Sequence, residues 1–203
     1  MRKSKIIIIS LILISLFFLI KLCFFNNKIS KFGNNSIEEI EQNILNINSY
    51  EALITVTVQS NKNSNTYILK QKCVDSRFYQ EVIEPSNIKG TIIELNGTDF
   101  KISNTKLSVA KIFQNYKSMT LNHLWLDYFI KDYLNSNKSS SEEKDTQIIL
   151  KTVNEKNKYN IYKTLYIDKK SQKPTKMVIQ DINRNDKVYI LYNEIQISDI
   201  NRR

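Results

Sequence analysis

Side chains able to do chemistry are few in this 203-residue chain, and they are scattered. Histidine occurs once, at His123. A zinc site built on it would need carboxylates or Cys73 to complete the ligand set, and no ligand spacing of that kind is present. Beside Leu124 and Trp125 on a predicted helix, this histidine reads as a packed or surface residue. Serine is plentiful, but neither a G-x-S-x-G elbow nor an S-x-x-K with its companion motifs occurs. Glu38, Glu39 and Glu41 cluster at the start of a predicted helix, where the helix dipole alone favours carboxylates. Gly33, Gly90 and Gly97 lie too far apart to cradle a phosphate. These observations predict a protein that is not an enzyme and that takes no metal and no cofactor.

The chemistry that does stand out is at the membrane. Arg2, Lys3 and Lys5 precede an apolar run from Ile6 to Ile20, followed by Lys21, Leu22, Cys23, Phe24 and Phe25. This order sends the following chain across a membrane. Two readings of residues 1–25 stand side by side. As a signal peptide, the segment would end before a diacylated Cys23, although Leu22 and Lys21 depart from the small residue a lipobox places before its cysteine. Left uncleaved, Ile6 to Phe25 supplies about the 20 residues that a bilayer requires, with Lys21 snorkelling to the outer interface. Both readings leave a tethered domain on the extracytoplasmic side.

Four positive charges of the net +10 are Arg2, Lys3, Lys5 and Lys21, which leaves +6 on the remainder. Lysine, isoleucine and asparagine abound while glycine and proline number 3 and 2, the mark of AT-rich codons, so part of that charge is compositional. No Arg-rich patch or aromatic RNA-binding motif accompanies it, and nucleic acid is not an expected partner. With Cys23 in or at the membrane, Cys73 has no partner within the chain, and the domain must fold on its core rather than on a disulfide.

The elements that position these residues follow from periodicity. Residues 26–35 are polar and read as a tether to a single domain over residues 36–203. Ser36 and Glu39 make an S-x-x-E capping box ahead of Ile37, Ile40, Ile44 and Ile47 on one helical face. From Tyr50 the period becomes two. Strands are predicted at 52–58, 66–74, 77–83, 91–95 and 98–102, the last two flanking the Asn96-Gly97 turn signal. A second helix is predicted over 121–134, with Leu121, Leu124, Trp125, Tyr128 and Phe129 on one side and Lys131 and Asp132 toward solvent. The Ser-rich residues 135–144 read as an exposed loop. Four more strands follow at 146–153, 159–167, 175–182 and 187–197. The expectation is an α+β fold whose nine or so antiparallel strands form a curved sheet with both helices on its concave face.

In the later strands Ile161, Leu165 and Ile167 share one face while Tyr162 and Tyr166 share the other, and Tyr189 to Ile197 is apolar on both sides. Trp125, Tyr128, Phe129, Tyr162 and Tyr166 are therefore candidates for a cavity lining or for plain core. Tyr189, Leu191 and Ile195 are candidates for a docking edge, because an edge strand offers unpaired backbone groups to a partner or to a second copy of the chain.

The sequence also carries a resemblance. The order of membrane segment, capped helix, "SYEALITVTV", "NTYILKQK", "FYQEVIEP", "IIELNGTDFKI", a helix and "IDKKSQKPTKMVIQDINRNDKVYILYNEIQI" resembles the LolA/LolB-like lipoprotein-binding fold. It is most similar to the GerS group of germination lipoproteins, with Pro174, Met177 and Asp181 where such proteins place a Pro, an apolar strand and an Asp-led turn. The resemblance implies an open half-barrel with helices across it. For the GerS group it further implies a lipoprotein of the spore or forespore envelope that binds and regulates a cell-wall amidase acting on cortex peptidoglycan, without catalysis of its own. A carrier or acceptor that holds acyl chains in an apolar cavity of the same fold is the alternative.

Overall fold

The structure is a computed structural model and describes residues 36–60, 62–114, 124–154 and 161–198. The predicted membrane segment and tether, with Cys23, and the helical positions 121–123, with His123, lie outside the described residues. Among those described, no helix is long and apolar enough to cross a membrane.

Helix α1 spans Ile37–Leu45 and starts directly after Ser36, as the capping box requires. Six strands follow as a meander: β1 (Ser49–Gln59), β2 (Ser64–Val74), β3 (Arg77–Glu84), β4 (Ile92–Asn96), β5 (Asp99–Asn104) and β6 (Val109–Phe113). Helix α2 spans Leu126–Asn135. A second meander completes the domain: β7 (Ser140–Lys144), β8 (Gln147–Val153), β9 (Tyr162–Asp168), β10 (Lys173–Gln180) and β11 (Asp186–Ile197). The eleven strands form one unclosed sheet in the order β6-β5-β4-β3-β2-β1-β11-β10-β9-β8-β7. Every pairing is antiparallel, and the two meanders are joined by β1 against β11 in a register running from Tyr50 opposite Ile197 to Val58 opposite Val188.

All nine predicted strands are present, and two more were hidden in the sequence. These are β6 and β7, the two ends of the sheet. Residues 140–144 are exposed, as a loop would be, but they pair with β8 from Ser140 opposite Lys151 to Lys144 opposite Gln147. An edge strand that is polar on both faces shows no alternation, so the period-two signal fails there. The Asn96-Gly97 turn is displaced by one residue. Asn96 pairs with Asp99, and Gly97 opens the two-residue loop at φ +60°, the position that a type II′ turn reserves for glycine.

Alternation in the central strands places one face of the sheet against both helices. Ile40 and Ile44 of α1 and Leu126, Phe129 and Ile130 of α2 pack with Ile54, Val56, Leu165, Ile167, Met177 and Ile190 in a single core. Such side chains contribute about 1.5–3 kcal/mol each when fully buried. Helix α2 begins later than the sequence pattern suggests, at Leu126, so Trp125 sits at its N-cap without a side-chain cap of its own. The cap comes from the sheet: the hydroxyl oxygen of Tyr50 accepts the Leu126 N–H at 3.2 Å.

Asp132 does not face solvent as expected. Its Oδ2 lies 2.6 Å from the Nζ of Lys163, a side chain only 1% exposed on the inner face of β9. Asn154 donates to its Oδ1 at 2.9 Å, and Thr152 donates to its backbone carbonyl at 3.2 Å. Burial lowers the pKa of Lys163, and the neighbouring Asp132 carboxylate opposes that shift. Tyr133 completes the attachment by donating to Glu41 of α1 at 2.9 Å.

Asp132→Ala should cost about 3–5 kcal/mol in urea unfolding of the full chain in detergent, because it strands a buried cation. The double variant Asp132→Leu/Lys163→Met should recover most of that loss, which a merely local packing role for Asp132 would not allow. Tyr50→Phe should cost about 1–2 kcal/mol by leaving the first amide of α2 unpartnered.

Candidate functional site

The aromatic residues singled out in the sequence do not line one site. Trp125 and Phe129 are 4% and 0% exposed within the core, and Tyr128 is half-buried with its ring 5.5 Å from that of Phe78. Tyr162 and Tyr166 lie on the opposite face of the sheet, each under a cation. Arg184 sits 3.3 Å from the Tyr162 ring centroid and Lys176 sits 4.0 Å from that of Tyr166. Among the described residues, the helix-covered face carries packed side chains of the protein itself, Trp125 and Phe129 among them. Three depressions in the described surface are open to solvent, the one at Lys151, Tyr166 and Lys176 among them.

Tyr189, Leu191 and Ile195 require a correction. Their strand, β11, is not an edge: β1 bonds it on one side and β10 on the other. Ile195 belongs to the core, whereas Tyr189 and Leu191 point to the outer face in the middle of the sheet.

The true edges differ in chemistry. β7 reads Ser-Ser-Glu-Glu-Lys and is exposed throughout. Glu142 pairs with Lys151 at 2.7 Å and Glu143 pairs with Lys169, so this edge is hydrated and charge-guarded. β6 reads Val-Ala-Lys-Ile-Phe, and with the preceding turn it leaves Leu107, Val109 and Ile112 at 51%, 45% and 62% exposure. Val109, Lys111 and Phe113 share the inner face, in register with Asn104, Ile102 and Phe100, while Ala110 and Ile112 share the outer one. Phe113 packs against Phe100 with ring centroids 5.6 Å apart, and Lys111 lies over the Phe113 ring at 4.7 Å.

A buried side chain braces the turn that leads into this edge. Asn104, 2% exposed, donates to Thr91 Oγ1 at 2.8 Å and to the carbonyl of Lys89 at 3.3 Å. Its own carbonyl oxygen, Oδ1, accepts the Leu107 N–H at 3.1 Å. One buried amide therefore ties the β5–β6 turn to the loop that precedes β4. β6 lies outside the nine predicted strands, although its short β-branched and aromatic run is the kind of segment that strands favour.

Among the described residues no group of three or more His, Cys, Asp and Glu side chains is placed to hold a metal. Cys73 is buried and free, and burial, with the Asp127 carboxylate second, pushes its thiol up to about 11. A thiol so placed is a packing residue rather than a nucleophile.

No family description matches the sequence, and no curated protein matches it. Solved structures do. An uncharacterized conserved protein from Thermus thermophilus superposes with a TM-score of 0.52 at 11% identity, over 82% of this chain and 90% of that one, and the two share a fold. A chain of the CwlD amidase–GerS lipoprotein complex from Clostridioides difficile is 24% identical over 84% of this chain and 98% of that one, with a TM-score of 0.45. A LolA superfamily protein from Nitrosomonas europaea is 10% identical over 83% and 96%, with a TM-score of 0.40.

At pH 8 an alkylating reagent should leave Cys73 unmodified in the folded chain and modify it fully in denaturant, read by peptide mass mapping. Rapid labelling without denaturant would mean that the thiol is accessible.

Proposed function

We propose that this chain is a membrane-tethered, non-enzymatic binding protein of the extracytoplasmic side. In this reading it resembles GerS in docking a cell-wall amidase that acts on spore cortex peptidoglycan and in regulating it. The observation that carries the reading is the division of labour within the sheet. One face carries α1 and α2, and a largely apolar edge strand, entered through a turn braced by Asn104, is left exposed. Backbone pairing at such an edge supplies affinity while alternate side chains supply specificity. The sequence resemblance to the GerS group makes an amidase the partner to test first.

The tether supports the same choice. Residues 1–25, as a retained anchor or through an acylated Cys23, would hold the domain at a membrane, which suits a positioned regulator better than a shuttle. A lipid carrier or a tethered acceptor of lipoproteins is the second reading. It needs apolar space on the helix-covered face, where Ile40, Phe129 and Leu165 now pack.

Capture of the tagged full-length chain after mild crosslinking in its native membrane, read by mass spectrometry for proteins and lipids, tests the two together. An amidase recovered without stoichiometric lipid is the expected result. Bound acyl chains or lipoproteins with no amidase would establish the carrier instead.

A further inference from the structure

The two edges of the sheet are built for different neighbours, and β6 specifies its neighbour by charge as well as by shape. From Thr105 to Phe113 the chain carries Lys106 and Lys111 and no carboxylate. Both lysines are exposed, and Lys111 lies over the Phe113 ring rather than against a carboxylate. A lysine in the middle of an edge strand is a common guard against unwanted pairing. It repels a basic strand, costs a neutral one the desolvation of an ammonium group, and rewards an acidic one.

We propose that β6 is the docking strand for an extended, acidic segment of a partner protein, added to the sheet as one further strand. The proposal rests on the partner-binding reading above and names the surface and the partner's chemistry. On the inner face the guest strand places a carboxylate beside Lys111. On the outer face it places an apolar side chain against Ile112, which is 62% exposed without it. Directly opposed side chains across such a pair lie within contact distance, so a guest with an acidic residue opposite Lys111 and apolar residues opposite Val109, Ile112 and Phe113 satisfies both faces at once. Leu107, whose N–H is held by Asn104, and the neighbouring Lys106 extend the same surface.

A second copy of the chain fits less well. Two antiparallel β6 strands centred on Lys111 would set their lysines against each other, and a register shifted by two residues would set each Lys111 against Phe113 with no carboxylate opposite. The acidic β7 of another copy has no apolar residue for Ile112 or Val109 to meet, and its Glu142 and Glu143 already hold Lys151 and Lys169.

The test uses the full-length chain in non-ionic detergent with two labelled ten-residue peptides of valine and threonine that differ only at two central positions, occupied by glutamate in one and by lysine in the other. Fluorescence anisotropy at low salt should show roughly tenfold tighter binding of the acidic peptide, with the preference shrinking as salt is raised. Hydrogen exchange should show new protection in residues 109–113 and none in 140–144. The exposed double variant K106E/K111E should reverse the preference, and E142K/E143K at the far edge should leave it unchanged. Equal binding of the two peptides, protection at β7, or concentration-dependent protection of β6 without peptide would overturn the proposal, the last in favour of a second copy. Capture of an amidase by K106E/K111E as efficiently as by the wild type would also overturn it while leaving the amidase reading intact. Acidic-peptide binding at β6 in a chain that captures no amidase would support the edge and dismiss the amidase.

Discussion

β1 against β11 is the pairing on which the remainder depends. Each meander on its own is a run of hairpins with a half-covered face, and only this contact makes them one sheet wide enough to seat both helices. It joins strands from opposite ends of the domain, so its loop-closure entropy must be met before the core can form. The strands meet that cost with Ile54, Val56 and Ile190, all essentially inaccessible to solvent. The register slip between Leu53 and Ile54 is absorbed by a bulge rather than by a break in the ladder.

Hydrophobic burial would seat α2 on the sheet without fixing its rotation or translation. Polar contacts do that. Tyr50 fixes where the helix starts, Lys163 and Asp132 fix its angle about its own axis, and Tyr133 with Glu41 ties it to α1. Lys163 is costly to bury, and the geometry answers the cost with a carboxylate at hydrogen-bonding distance. The second buried polar pair lies further along the same face. Gln71 donates to Gln80 at 2.9 Å and reaches the carbonyl of Leu124, so the segment entering α2 is held across β2 and β3 as well.

The central strands were legible in the sequence because each is buried on one face and half-covered on the other. Ala52, Ile54 and Val56 declare their side at every second residue. The edges were harder to read, since β7 has nothing to bury and β6 offers only a short β-branched and aromatic run, most of it exposed. Strand order was legible only in part. Turns identify consecutive neighbours, but the β1–β11 contact leaves no mark within either segment, and Tyr189, Leu191 and Ile195 were assigned to an edge for that reason. Lys163 could have been placed by parity, since it falls between Ile161 and Leu165 on the inward face. Its partner could not, because Asp132 reads as solvent-facing until the true start of α2 is known.

The placement of β11 also bears on the order in which the domain can close. The strand that seals the middle of the sheet is the last of the described strands in the chain. Until it is in place, β1 keeps an unpaired side and the helices lack a complete floor. Hairpins formed by neighbouring strands therefore need only local contacts, whereas the core waits on one long-range pairing between the two ends of the domain.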